Sequence, residues 1–207
     1  LDLATGSFLP LSETEWSAAQ TAETLTPYIV RALEMLCEAG IEATGITSPW
    51  DFGIKVEPAY RRACAAAIRA VYGRDRSWYF LHSRGPAARP EVVISEPPTQ
   101  LVSIPCTINE HFWQTINSPR DDREYVMGIA DRFLSADGRT GEIRTSLEAG
   151  GWPLLVSHWQ SLFSNGLETG MAVLDEVGRR AQEHLSDMVV WCSASELMER
   201  TLRAAGR

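Results

Sequence analysis

The chain's 207 residues carry a formal charge of −8, with 44% apolar and 22% charged residues. That balance is ordinary for a soluble globular protein, and the length suffices for one well-buried domain. Acidity without a basic run excludes nucleic acid and anionic membrane as natural partners. No apolar stretch approaches the roughly 20 residues that span a bilayer.

The first 25 residues are polar and mixed, with a capping-box pattern at Ser12-x-x-Glu15. Thr26 before Pro27 predicts a helix start, continued by Ile29, Leu33, Leu36 and Cys37 at helical spacing and stopped by Gly40. Residues 41–47 read as a strand leaving into the loop Ser48-Pro49-Trp50-Asp51-Phe52-Gly53. A second helix is predicted over 58–72, with Tyr60, Cys64, Ala67, Ile68 and Val71 on one face.

Residues 77–81 predict an aromatic-rich strand that ends at His82. Residues 92–94 and 101–104 predict two more, separated by Pro97-Pro98. Helical spacing returns over 122–134 through Tyr125, Ile129 and Phe133, and Asp137-Gly138 is a turn. Leu154-Leu-Val156 is a short apolar run entering Ser157-His158-Trp159, the pattern of a strand buried on both faces. A long helix follows, with Leu167, Met171, Leu174, Val177, Ala181 and Leu185 on its predicted core face. Residues 188–192 read as a last strand, and Ser195 opens a terminal helix.

Strands alternating with helices of ten or more residues predict an α/β fold: one domain over 1–207 with a parallel, (β/α) barrel-like sheet. In such sheets ligands sit beyond the carboxyl ends of the strands. His158 stands there, and histidine is the side chain that titrates nearest working pH. His82 and His111 also follow predicted strands, while His184 reads as structural, near a helix end. A three-histidine metal site lacks any close pair such as His-x-His.

Trp50, Trp113 and Trp159 fall in the same strand-end loops, where indole faces and polar neighbours suit a sugar cleft. Asp51 is a candidate to orient a histidine or hold a substrate hydroxyl; capping its own turn is the alternative. Phosphate-binding glycine loops and the Gly-x-Ser-x-Gly elbow do not occur. Cys37, Cys64, Cys106 and Cys192 form no Cys-x-x-Cys pair and read as small thiols in a reducing compartment, so a cytoplasmic protein is expected.

The order of these segments resembles the later half of the polysaccharide deacetylase-like family, in the glycoside hydrolase/deacetylase superfamily. Thr47-Ser-Pro49-Trp-Asp-Phe-Gly53 is similar to that family's proline-glycine loop. Ile104-Pro105 through His111-Phe-Trp113 resembles its Asp-Trp element, with His111 or Glu110 in place of the acid. Val156-Ser157-His158 resembles its Leu-x-His strand end, and Val189-Val-Trp191 with Ser195-Glu196-Leu197 resembles its ending.

The resemblance implies a carbohydrate-active hydrolase that removes acyl groups from sugar, with His158 as general acid and Trp50, Asp51, His111, Trp113 and Trp159 at the substrate. The divalent metal it implies, such as zinc, has no Asp-Asp or His-x-x-x-His here. Its ligands are therefore expected upstream of Leu1, with the chain as the C-terminal portion of a barrel incomplete at its N-terminus. Such an open edge invites a homo-oligomer or pairing with the missing segment. A sugar-binding or scaffold domain without the metal ligands is the alternative. A metal-free hydrolase using His158 with Asp51 is a third reading.

Overall fold

A computed structural model of the chain describes residues 11–48, 51–81 and 85–206. They form a mixed α/β protein divided into two compact units. One comprises 11–48, 51–81, 90–104 and 192–206; the other comprises 85–89 and 105–191.

In the first unit, α1 (Glu13–Ser17) begins with the expected capping box. Ser12 N donates to Glu15 Oε2 at 3.0 Å, and Glu15 N donates to Ser12 Oγ at 3.3 Å. Helix α2 (Ala22–Glu38) starts a turn earlier than Thr26-Pro27 suggested, with Thr21 as its N-cap. Pro27 therefore lies inside it, and the Thr26 hydroxyl turns back to the Ala22 carbonyl at 2.7 Å.

The sheet order is β1-β2-β4-β3, with β1 (Gly45–Thr47), β2 (Arg76–Leu81), β3 (Glu91–Glu96) and β4 (Thr99–Pro105). β1 pairs with β2 in parallel, connected through α3 (Glu57–Tyr72). A Cβ on Gly45 would lie 2.2 Å from the Trp78 ring on the facing strand, so this register needs a glycine. β3 and β4 form an antiparallel hairpin around Pro97-Pro98. Leu25, Ile29 and Leu33 of α2 pack with Tyr60, Ala63, Cys64, Ala67 and Ile68 of α3 over Tyr79 and Leu101 of the sheet.

The second unit is mainly helical: α4 (Arg123–Phe133), α5 (Glu142–Glu148), α6 (Trp159–Phe163) and α7 (Thr169–Leu185). Helix α4 falls within the predicted stretch 122–134, and Asp122 caps it through its side chain on Tyr125 N at 3.0 Å. Ile108, Phe112, Ile129, Phe133, Val173, Val177 and Leu185 meet in the core. His184 Nε2 lies 2.9 Å from the Ala136 carbonyl oxygen, in the structural role expected of it. The terminal helix α8 (Ala194–Ala205) belongs to the first unit and is capped by Ser193 and Glu196.

Several expectations are corrected. The sheet is not all parallel, because two prolines turn β3 directly back into β4. Among the described residues it has four strands and stays open, so a complete barrel is not formed. Leu154–Val156 is only half-buried and makes a single parallel bridge, Leu155 to Ile108. Residues 188–192 form no strand: Met188 N and Val189 N both return to the Leu185 carbonyl at 2.9 Å, prolonging the end of α7. β-prone residues need a partner strand to pair with, and these meet none among the described residues.

Helix α7 also faces differently. Val177, Ala181 and Leu185 are buried, but Leu167, Met171 and Leu174 are exposed. Arg180 is buried instead, at 1% exposure. Its Nε donates to Glu176 Oε1 at 2.7 Å, and its NH1 reaches Asp131 Oδ1 at 2.7 Å and the Leu134 carbonyl at 2.6 Å. Cys37 is exposed rather than part of a core face.

Arg179, against an opposing push from burial, together with Arg180 holds the Glu176 carboxyl down to about 2. A carboxyl depressed in the folded state stabilises it above its unfolded value of about 4.3, and that contribution fades as pH falls toward the folded value. Arg180→Ala removes one of the two guanidiniums on Glu176 together with its bonds to Asp131 and the Leu134 carbonyl, and should cost about 1–3 kcal/mol in chemical denaturation at pH 7. The deficit should narrow in the same measurement as pH is lowered from about 4 toward 2.

Candidate functional site

The site forms where two short elements begin. Residues 108–110 lead into a 3₁₀ helix, His111–Thr115, with Glu110 at its N-cap. Residues 155–158 lead into α6, with His158 at its N-cap. The bridge between Ile108 and Leu155 sets these segments side by side. Glu110 and His158, two and three residues further on, then meet.

Glu110 holds His158 twice. The His158 backbone N–H donates to Glu110 Oε1 at 2.9 Å. The ring Nδ1 lies 2.7 Å from Oε1 and 2.8 Å from Oε2. An ionised carboxylate only accepts hydrogen bonds, so these contacts place a proton on Nδ1. Glu110 is largely covered, at 15% side-chain exposure, while His158 retains 29%. The Ser161 hydroxyl is 2.7 Å from the His158 carbonyl and 3.4 Å from Glu110 Oε1.

Trp113 packs its ring at 73° to the His158 imidazole, with centroids 5.2 Å apart, and remains partly exposed. Trp159, at 68% exposure, presents its indole to solvent one residue beyond His158. Two of the three tryptophans expected at the substrate thus lie beside this imidazole, Trp113 in ring contact and Trp159 next in sequence.

His111 belongs to a separate pair. Its Nε2 lies 3.0 Å from Glu142 Oε1, and its ring stands edge-on to Phe133. Asn109 adds its backbone N–H to Glu142 Oε2 at 2.7 Å and its side-chain amide to Oε1 at 2.8 Å. Burial raises the Glu142 carboxyl, but the Asn109 and His111 donors outweigh it and hold the group below the usual carboxylate range. Glu142, Asn109, Thr107, Thr145, Ile108, Cys106 and Pro86 line a pocket of about 260 Å³.

Asp51 is exposed in a turn of the first unit, where its carbonyl accepts from Ile54 N at 3.2 Å. The acid that orients His158 is Glu110. Trp50 and His82 lie outside the described residues. Among the described residues, no three His, Cys, Asp or Glu side chains are grouped to hold a metal ion, so the implied divalent metal has no ligand set here.

Sequence reasoning left Glu110, Glu142 and Ser161 out of the candidate site. Glu110 did carry a signal, standing near the resemblance's acid before Trp113. Glu142 is 31 residues from His111, and Ser161 looks like any helix serine. Comparison of the chain with family models, curated proteins and solved structures finds no match.

Because the Glu142 carboxyl is depressed by folding, its contribution is present above about pH 4.3 and lost as pH falls through the folded value. Glu142→Gln turns an amide N–H toward donors and should lose about 1–3 kcal/mol at pH 7. Thermal unfolding of both proteins should show that gap shrinking below about pH 4.

Proposed function

We propose that this chain carries the acid–base centre of a carbohydrate-active hydrolase of the polysaccharide deacetylase type, releasing acyl groups from a sugar. The observation that carries the reading is the contact of both Glu110 oxygens with His158 Nδ1 at 2.7 and 2.8 Å. A fixed Nδ1–H tautomer leaves Nε2 as the atom that takes and returns a proton, the requirement for a general acid–base histidine. The carboxylate also stabilises the imidazolium formed when Nε2 is protonated.

In this chemistry water adds to the acyl carbonyl as its proton moves to Nε2. The protonated His158 then delivers that proton to the departing sugar oxygen or nitrogen. Trp113 and Trp159 offer aromatic faces on which the apolar side of a pyranose can stack. No step is assigned to a metal, for which the described residues provide no ligand set.

A second reading, a sugar-binding domain without catalysis, is favoured by the 68% exposure of Trp159. Four cysteines without a Cys-x-x-Cys pair, Cys37, Cys64, Cys106 and Cys192, support the proposed cytoplasmic location. No helix of the described residues is long and apolar enough to cross a membrane.

Release of acetate from acetylated xylan and from p-nitrophenyl acetate tests the catalytic reading. His158→Asn should lower kcat at least about tenfold, with oligosaccharide binding by tryptophan fluorescence preserved. Glu110→Gln should lower kcat comparably. Unchanged turnover in His158→Asn removes the residue from the mechanism. Saturable sugar binding with no acetate release from the unmodified protein selects the second reading.

A further inference from the structure

Between α6 and α7 the chain adopts a conformation that few sequences tolerate. Ser164, Asn165 and Glu168 all have positive φ, at 48°, 55° and 56°, and none is a glycine. Side chains in that region are strained, and such residues persist only where the surroundings fix them. Here the surroundings are a chain of buried hydroxyls.

The Gly170 N–H donates to Ser164 Oγ at 3.1 Å. Ser164 Oγ lies 2.8 Å from Thr115 Oγ1, and Thr115 Oγ1 donates to the Ser161 carbonyl. Ser164 Oγ also reaches the Ser161 carbonyl at 2.9 Å and Thr115 Oγ1 the Phe112 carbonyl at 2.9 Å, so the two hydroxyls form a buried relay that converges on the Ser161 carbonyl. Thr115, Ser161 and Ser164 are completely buried. Helix α6 ends at Phe163, so the Ser161 carbonyl has no later turn to accept from and accepts from both hydroxyls instead.

This relay joins the two elements that carry the acid–base pair. Thr115 ends the 3₁₀ helix that Glu110 caps, and Ser161 lies in the helix that His158 caps. Gly170 lets α7 close over the junction, because a Cβ there would stand 2.1 Å from the Ser161 carbonyl oxygen.

We infer that the buried hydroxyls of Thr115 and Ser164 are positioning groups for the Glu110–His158 pair. They hold the turn that begins at Glu110 against the helix that begins at His158, so that the carboxylate and Nδ1 stay in register. The inference rests on the hydrolase reading for the kinetic part of its test alone.

The test compares Thr115→Val, which keeps the shape and deletes the hydroxyl, with Thr115→Ser, which keeps the hydroxyl. The readouts on the purified protein are the ¹⁵N and Nδ1–H resonances of His158, their pH titration, and acetate release. Thr115→Val should shift the His158 resonances and titration and lower kcat about ten- to a hundredfold at similar KM. Thr115→Ser should restore both. Where Thr115→Val does not fold, Ser164→Ala interrupts the same relay and is read by the same resonances.

A merely structural role would lower the melting temperature and leave the His158 resonances in place, and that result overturns the inference. Shifted resonances in a protein that releases no acetate would support the positioning role and reject the hydrolase reading. Lost turnover in His158→Asn with unmoved resonances in both relay variants would do the reverse.

Discussion

One carboxylate serves two donors on the same residue: Glu110 accepts from both the backbone and the ring of His158. The backbone bond satisfies an N–H that the start of α6 leaves without an intrahelical partner. The ring bond selects the tautomer. Because both end on one group, the direction of α6 and the orientation of the imidazole are coupled. A shift of Glu110 would disturb a helix start and the imidazole orientation together.

The second unit supplies what that contact needs. Its apolar core, with Phe112 and Phe133 as large buried members, fixes the 3₁₀ helix after Glu110 from below. The Glu142–Asn109–His111 cluster fixes the same loop from the side, through residues on either side of Glu110. Arg180 ties α7 to α4 with charge rather than hydrocarbon. Such a group is costly to bury unless its donors are placed; Glu176 takes Nε, Asp131 and the Leu134 carbonyl take NH1, and Met127 Sδ faces NH2.

Much of the local structure was legible in the sequence. The Ser12–Glu15 capping box, the α3 face through Tyr60, Cys64 and Ile68, and the Asp122 start of α4 follow from short-range spacing, and all three are present. The misreadings have a common cause. Residues 188–192 have the β-branched and aromatic composition of a strand, but a strand exists only through a neighbour. The predicted stripe of α7 fared likewise: Leu167, Met171 and Leu174 had the right period, yet the packing buries Arg180 and leaves them exposed.

The sequence by itself determined where α1 and α4 begin, that strands alternate with helices in part, and that His158 stands at the end of an apolar run next to a tryptophan. These depend on residues within a few positions of each other. Only the tertiary structure decided that Glu110, 48 residues away, is the acid on His158, that His111 pairs with Glu142 instead, and that Thr115 meets Ser164. Hydrogen bonds between distant residues leave no periodic trace in a chain, because their geometry exists only after the core has brought the segments together.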